Sequence, residues 1–204
     1  MKINSVYNFW NSNSCGEELF LKSIDKIGYD EQMRERYNLE PYILDFADFK
    51  NANSKKVLEI GVGLGSDHQM FAQNNCDLYG VDLTKRAIEH TERRLKLNNL
   101  DSNLQVLSAE TLPFSDNFFD LIYSWGVIHH AENPEKILGE ISRVVKTDGS
   151  IKIMLYNKYS FVTLMLWFRY GLLKMRFFSG ISKIVSERLE SPGTKCYTKK
   201  QVVR

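Results

Sequence analysis

The sequence is poor in cysteine, and its three cysteines form no recognisable pattern. Cys15, Cys76 and Cys196 lie far apart, and no Cys-x-x-Cys spacing occurs. The cysteines therefore form neither the pattern of a typical zinc site nor an obvious disulfide framework. The scarcity argues against a small secreted domain held together by disulfides and favours a reducing compartment.

Long apolar runs are also missing. The longest run, FVTLMLWF at residues 161–168, is far shorter than the roughly 20 apolar residues of a membrane-spanning helix. The first residues, MKINSVYNFWNSNS, are too polar for a secretory signal. We therefore predict a cytoplasmic protein.

The chain as a whole lacks an excess of charge of either sign, since its net charge is +2. Nucleic-acid binding needs a concentrated basic surface, so nucleic acid is not an expected partner. The charge is nevertheless unevenly distributed. Residues 158–204 carry ten basic and two acidic residues, a net charge of +8, so the rest of the chain is acidic.

No repeat and no low-complexity linker interrupts the 204 residues, a length that suits one α/β domain. We expect residues 1–50 to form an N-terminal helical cap. In this segment Leu19, Phe20, Ile24 and Ile27 have the spacing of one apolar helix face.

Residues 51–157 alternate between strand and helix patterns. Strands are predicted at KVLEIGV, DLYGVDL, LQVLSA, FDLIYSWG and SIKIMLYN. Helices are predicted at SDHQMFAQNN, TKRAIEHTERRLKLNN and PEKILGEISRVVK, the second with Thr84 as its cap or first-turn residue and the third ending near Asp148. This alternation implies right-handed crossovers, and hence a Rossmann-like, doubly wound α/β fold with a mostly parallel sheet.

Residues 158–204 are rich in aromatic and basic residues. We expect one or two amphipathic helices here that lie over the carboxyl ends of the strands as a lid. One alternative is a helical cap that only covers the sheet face. Another is a basic amphipathic helix that contacts an anionic membrane.

A glycine-rich turn follows the first strand pattern, in KKVLEIGVGLGSDH, at Gly61, Gly63 and Gly65. Glycines at this point of an open α/β sheet allow the backbone to approach a nucleotide-like ligand. The dinucleotide fingerprint G-x-G-x-x-G would require a glycine where the chain has Ser66. Glu59 precedes the turn, where a carboxylate disfavours a pyrophosphate and favours an ammonium group.

Asp82 ends the second strand pattern, and it follows Gly61 at about the spacing at which such folds place a ribose-binding acidic residue. A carboxylate at this position can accept hydrogen bonds from both hydroxyls of a ribose. The alternative is that Asp82 merely caps the following helix. The two roles are compatible, and the spacing favours the ribose.

Four stretches, VLEIGVGLGSD, YGVDLT, SAETLPFSDNFFDLIYSWGVIHH and EISRVVKTDGSIKIMLYN, have the order and spacing of class I S-adenosylmethionine-dependent methyltransferases. Over about residues 55–157 the chain resembles this superfamily, most closely the branch of ubiquinone/menaquinone-pathway C-methyltransferases. One position departs from the pattern, because Ser108 stands where the family often has aspartate. The resemblance also implies a final strand hairpin after the last residues, YTKKQVVR, so we expect a truncated chain.

The resemblance implies S-adenosyl-L-methionine as the cofactor, with residues 51–157 as the domain that binds it. The glycine turn and Glu59 would hold the methionine part, and Asp82 the ribose. Leu83 would lie against the adenine, with Ala109 and Glu110 at the adenine edge. The whole set carried over from the family is Glu59, Gly61, Gly63, Gly65, Asp82, Leu83, Ala109, Glu110, Ser124 and Trp125, the last two under the methionine part.

Two adjacent histidines, His129 and His130, follow the fourth strand pattern and are candidates for a catalytic base. In the family this pair usually belongs to the turn that leaves the strand. No further cysteine, histidine or carboxylate lies at ligand spacing, so no metal site is predicted.

The N-terminal segment supplies a second group of candidates, because related enzymes often close over the cofactor with N-terminal helices. Arg36 would bind the cofactor carboxylate. Phe9, Trp10, Tyr37 and Tyr42 would surround the methyl group. The alternative is that these aromatic residues form the core of the helices.

The resemblance predicts a methyltransferase that acts on a small-molecule acceptor by in-line methyl transfer. Because the sulfonium is already activated, the absence of an identifiable base does not argue against an enzyme, but the acceptor atom stays undefined. Two alternatives are a non-catalytic cofactor-binding member of the family and, disfavoured by Ser66 and Glu59, an NAD(P)-dependent oxidoreductase. The sequence does not indicate an oligomeric state.

Overall fold

The computed structural model describes residues 2–176 and 178–202, with the backbone alone for residues 2–4. Met1, Phe177, Val203 and Arg204 lie outside the described residues. The last three belong to the predicted lid segment.

Five strands form the sheet: β1 (Lys56–Ile60), β2 (Asp77–Asp82), β3 (Asn103–Val106), β4 (Phe119–Trp125) and β5 (Val145–Met154). They lie in the order β3-β2-β1-β4-β5, and every pair is parallel. The predicted Rossmann-like fold is therefore confirmed. The strand order reverses between β1 and β4, and ligands of such sheets bind outside the carboxyl ends of the strands at this point.

Four helices precede the sheet: α1 (Lys2–Ser12), α2 (Glu17–Phe20), α3 (Lys26–Leu39) and α4 (Tyr42–Ala47), followed by a 3₁₀ turn at Phe49–Ala52. The prediction that this segment has one common apolar helix face is wrong. Leu19, Ile24 and Ile27 are 78%, 53% and 70% exposed. They belong to different elements, because the chain leaves α2 and starts α3 anew at Asp25, whose carboxylate accepts a hydrogen bond from the Gly28 N–H.

Three helices connect the strands: α5 (Ser66–Ala72), α6 (Lys85–Leu97) and α7 (Pro134–Val144), with a 3₁₀ turn at Ile128–His130. The Thr84 hydroxyl caps α6 by accepting a hydrogen bond from the Ala87 N–H, as expected. Helix α7 ends at Val144, earlier than predicted. The chain enters β5 at once because Val145 pairs with Phe119, and a bulge precedes the next pair, between Leu121 and Ser150.

Side chains of the central strands alternate between the two faces of the sheet, as the strand period requires. Val57 and Leu121 pack with residues of the N-terminal helices and α5. Leu58 and Ile122 pack on the opposite face, with residues of α7. Both faces are thus covered, and each fully buried aliphatic side chain contributes about 1.5–3 kcal/mol.

The chain after β5 forms α8 (Phe161–Trp167), a π-helical turn (Phe168–Leu172), α9 (Ile181–Arg188) and α10 (Lys199–Val202). Helices α8 and α9 pack against each other. None of the described helices has both the length and the apolar character needed to cross a membrane.

Candidate active site

A cavity of about 320 Å³ opens at the carboxyl ends of β1, β2 and β4. Its lining contains the glycine turn and the residues that follow β2, β3 and β4. Trp10 and Arg36 from the N-terminal helices also line it, as do Tyr156 after β5 and Glu190 after α9. No described residue within α8 or α9 lines the cavity, so the predicted lid reaches it only through the turn that follows α9.

The three glycines of the turn have positive φ angles of 84°, 55° and 76°, a region that strongly favours glycine. A side chain at Gly61 would lie 2.2 Å from Val127, and one at Gly65 would lie 2.8 Å from Thr91. At Gly63 nothing lies within 4 Å of the added atom. Gly61 and Gly65 are therefore required for packing, whereas Gly63 leaves open space beside the cavity.

Asp82 lines the cavity and also organises the two turns around it. One carboxylate oxygen accepts hydrogen bonds from the Thr84 N–H and hydroxyl, both at 2.9 Å. The other accepts from the Gly63 N–H at 3.3 Å. Burial raises the pKa of Asp82. Asp82 therefore does cap the turn before the helix, and its carboxylate also borders the cavity.

Glu59 lines the cavity and is almost fully buried. Its carboxyl group contacts His68 Nδ1 at 2.8 Å, and His68 Nε2 contacts the Ser102 hydroxyl at the same distance. Burial, and next the Asp67 carboxylate, raises the pKa of Glu59 well above its usual value. Burial lowers the pKa of His68 to about 3, so this histidine is neutral.

Asp67, which sequence reasoning missed, organises the neighbouring wall. Its carboxylate accepts hydrogen bonds from Arg36 at 2.8 Å, from Tyr37 at 2.9 Å and from Tyr123 at 2.8 Å. Arg36 lines the cavity. Burial alone would lower its pKa, but the Asp67 carboxylate more than offsets burial, so the pKa of Arg36 is raised. Tyr37 does not line the cavity, because its hydroxyl donates to Asp67 and its ring packs on Phe49.

Among the other residues carried over from the family, Leu83, Ala109, Glu110 and Trp125 line the cavity. Ser124 does not, which corrects the expectation. Side chains alternate along β4, and the Ser124 hydroxyl is buried against the Ile60 carbonyl, to which it donates at 3.0 Å.

Of the N-terminal aromatic residues, only Trp10 lines the cavity. Its ring lies edge-on to His130, with 5.1 Å between the centroids. Phe9 is 40% exposed and packs on Trp10, whereas Tyr42 is 56% exposed and packs on Trp125. The expectation that all these rings surround the methyl group is therefore corrected.

The two histidines occupy different environments. His130 lines the cavity, and its Nε2 lies 3.1 Å from the carboxylate of Glu190. His129 is fully buried, does not line the cavity, and packs against Tyr156 with 3.9 Å between the ring centroids. Burial lowers the pKa of His129 to about 3, which makes it a weak base. Of the two histidines, His129 is therefore no longer a candidate for the catalytic base. Glu190 approaches from a distant part of the chain, so spacing along the sequence could not identify it as a neighbour of the histidines.

Comparison with known proteins gives consistent matches. Residues 58–153 match the family described as "Methyltransferase domain". Phosphoethanolamine N-methyltransferase 2 of Caenorhabditis elegans is 30% identical over 134 residues, which are 64% of this chain and 28% of that protein. The first curated relatives are matched over less than half of their own length.

Two solved structures show the same fold. The YcgJ protein of Bacillus subtilis has a TM-score of 0.61 and 22% identity, with 80% of this chain and 65% of that chain covered. Magnesium protoporphyrin IX methyltransferase of Synechocystis, solved with bound S-adenosylhomocysteine (SAH), has a TM-score of 0.64 and 14% identity, with 99% and 85% covered.

Proposed function

We propose that residues 58–153, which match the family described as "Methyltransferase domain", bind S-adenosyl-L-methionine and that the chain transfers its methyl group to a small-molecule acceptor. The observation that carries the proposal is the shared cavity. The glycine turn, Asp82, Trp10 and His130 all line one space. In-line transfer from an activated sulfonium requires that the acceptor is oriented toward the methyl group, and a concave site that brings these residues together supports this.

We assign the cofactor contacts to residues that the cavity brings together. Asp82 accepts hydrogen bonds from the ribose hydroxyls. Glu59 faces the ammonium group and Arg36 the carboxylate of the methionine part. Leu83 and Ala109 flank the adenine. The other residues that we assign to the cofactor site are Gly61, Gly63, Gly65, Glu110 and Trp125.

The acceptor atom is left open within this proposal. Curated relatives include proteins named as N-methyltransferases and as O-methyltransferases. Some of these names refer to ubiquinone biosynthesis, and they support a place for the chain near the ubiquinone/menaquinone branch of methyltransferases. The assignment to this branch and the cytoplasmic location both remain predictions.

Transfer is tested by incubating the purified chain with methyl-labelled cofactor and a panel of hydroxyl, amine and activated-carbon acceptors. Formation of SAH that depends on an added acceptor supports the proposal. Tight binding of the cofactor without transfer to any acceptor would instead support the non-catalytic alternative.

The affinity for SAH is expected to fall at acidic pH because of Glu59. The pKa of this carboxyl is raised in the unliganded chain, whereas the ammonium of the ligand favours the ionised form. Affinity should therefore be constant above the raised pKa and fall below it, toward about tenfold per pH unit. Calorimetric titrations between about pH 5 and pH 8 measure this dependence.

The control is Glu59→Gln, which keeps the size of the side chain and its contact with His68. This variant should bind SAH more weakly, and its affinity should not follow pH in the same range. The other charged groups that face Glu59 are Asp67, Asp82 and Arg36. If Glu59→Gln retains the pH dependence of the wild type, one of these groups is responsible and the assignment is wrong.

We further propose that the surface around α8 contacts an anionic membrane. This surface carries large apolar side chains that are about 40% to fully exposed: Phe161, Val162, Leu164, Met165, Phe168, Leu172, Leu173, Met175 and Phe178. Arg169 and Lys174 are exposed in the same segment. Apolar side chains next to basic ones suit the interface of an anionic bilayer. One curated relative is named for a phospholipid substrate.

Co-sedimentation with vesicles tests the membrane contact. We expect pelleting with anionic vesicles at low salt, and less at high salt or with neutral vesicles. Met175→Glu should weaken pelleting about tenfold, since burying such a side chain contributes about 1.5–3 kcal/mol. Leu19→Glu is the matched control, because Leu19 and Met175 are both 78% exposed. If Met175→Glu and Leu19→Glu reduce pelleting equally, or if the chain pellets by self-association without lipid, the proposal is contradicted.

A further inference from the structure

Three potential metal ligands meet beside the cavity. His129 and His130 come from the 3₁₀ turn after β4, and Glu190 comes from the turn after α9. One ligand atom from each residue can be chosen so that all three lie within 4.8 Å of one another. The fold thus joins residues from distant parts of the sequence.

His130 contacts two hydroxyl groups through Nδ1, and its Nε2 faces Glu190. The Thr194 hydroxyl donates to the Ser191 carbonyl at 2.6 Å, so toward His130 it can only accept. His130 Nδ1 lies 3.0 Å from this hydroxyl and can donate to it, whereas the Ser191 hydroxyl, 2.9 Å from the same nitrogen, can donate to Nδ1 in the other tautomer. In the tautomer in which Nδ1 carries the proton, Nε2 presents a lone pair toward Glu190 and can bind a cation.

The distance between His130 Nε2 and Glu190 Oε2 is 3.1 Å. Two arrangements suit a nitrogen and a carboxylate oxygen at this distance: a proton on Nε2, which makes an ion pair, or a cation bound by both atoms. With metal–ligand bonds of about 2.0–2.2 Å, two neighbouring ligands are separated by about 3.0–3.5 Å. The observed spacing fits two neighbouring ligands of one ion as well as a direct ion pair, and metal titration distinguishes the two.

His129 supplies an independent observation. It is fully buried, and neither ring nitrogen has a hydrogen-bond partner among the described residues. A buried polar group without a partner costs free energy, so such groups are uncommon. The Tyr156 ring packs against the imidazole and holds it beside His130. A bond to a metal ion would satisfy one nitrogen.

We propose that His129, His130 and Glu190 bind one divalent transition-metal ion at the edge of the cavity. Two imidazoles and one carboxylate form a ligand set used for catalytic zinc and for non-haem iron, in which further positions stay open. Because His130 and Glu190 line the cavity, an open position would face it. An ion there would bind an oxygen of the acceptor and lower the pKa of a hydroxyl group.

Titration of the chelator-treated chain with Co²⁺ and Zn²⁺ tests this site. We expect one ion per chain by calorimetry, and a visible Co²⁺ spectrum. Glu190→Gln should weaken the affinity at least about tenfold, as the loss of a charged ligand implies. Glu135→Gln, which changes an exposed glutamate on α7, should leave the affinity unchanged. Circular dichroism identifies variants that fail to fold. Glu190→Gln is expected to fold, because Glu190 is partly exposed.

The absence of one-to-one binding up to about 1 mM ion, or equal affinity in the wild type and in Glu190→Gln, would overturn the site. His130 and Glu190 would then form a plain ion pair. Titration of the same preparations with SAH keeps the two proposals separate. SAH binding without a metal site leaves the proposed function standing, and metal binding without SAH binding leaves only the metal site.

Discussion

Replacing Gly63 with valine is expected to lower the affinity for SAH at least about a hundredfold, equivalent to about 2.8 kcal/mol. Apart from the neighbours of Gly63 along the chain, none of the described atoms lies within 4 Å of the position that a Cβ would take at Gly63. The new side chain would therefore project into the space that we assign to the cofactor. Calorimetric titration of the variant measures the loss.

The control is Gly193→Val. Gly193 also has a positive φ angle, 87°, and open space around its Cβ position, but it does not line the cavity. Both substitutions place a branched residue in the left-handed region, at a cost of about 1–2 kcal/mol of stability. Gly193→Val should keep the affinity of the wild type. Equal loss of binding in the two variants would mean that Gly63 serves folding alone.

Asp82→Ala is expected to weaken SAH binding about tenfold or more. A carboxylate that accepts two ribose hydroxyls contributes about 1.5–3 kcal/mol through charge-assisted hydrogen bonds. The alanine variant also loses the hydrogen bonds to Thr84 and Gly63, so the turn itself is weakened. The affinity is measured by calorimetry and the stability by thermal unfolding.

Asp82→Asn separates the two roles of this residue. The amide keeps the size of the side chain and one oxygen that can accept from Thr84, but it loses the hydrogen bond from the Gly63 N–H and cannot accept from both ribose hydroxyls. We expect a loss of affinity close to that of the alanine variant with a smaller loss of stability. Wild-type affinity in Asp82→Asn would mean that Asp82 acts only as the cap of the turn.

Features with a local signal could be predicted from the sequence. The five strands follow from apolar runs, and the glycine turn and Asp82 follow from their positions at the ends of two successive strand patterns. Thr84 was identified because capping depends only on the residues that follow it in the first helical turn. The Rossmann-like arrangement then follows from the alternation of strands and helices.

The features that could not be predicted from the sequence depend on contacts between distant segments of the chain. Asp67 accepts from Arg36 and Tyr123, which are 31 and 56 residues away, so no local pattern identifies it. Glu190 meets His130 from beyond α9, a part of the chain that no strand pattern connects with the histidines. Ser124 was misassigned because the family pattern gives its position but not the face of β4 toward which it points.

The N-terminal segment illustrates a different error. The apolar spacing of Leu19, Ile24 and Ile27 is genuine, but spacing predicts a common face only within one helix. The Asp25 cap starts a new helix inside the pattern, and this change of direction leaves the three side chains exposed.

The central claim is that the cavity at the carboxyl ends of β1, β2 and β4 binds the methyl donor. Calorimetric titration of the wild-type chain with SAH, beside a parallel titration with NADH, tests this most directly. We predict saturable binding of one SAH per chain and no binding of NADH. Binding of NADH, or no binding of SAH by chain that is shown to be folded, would contradict the claim.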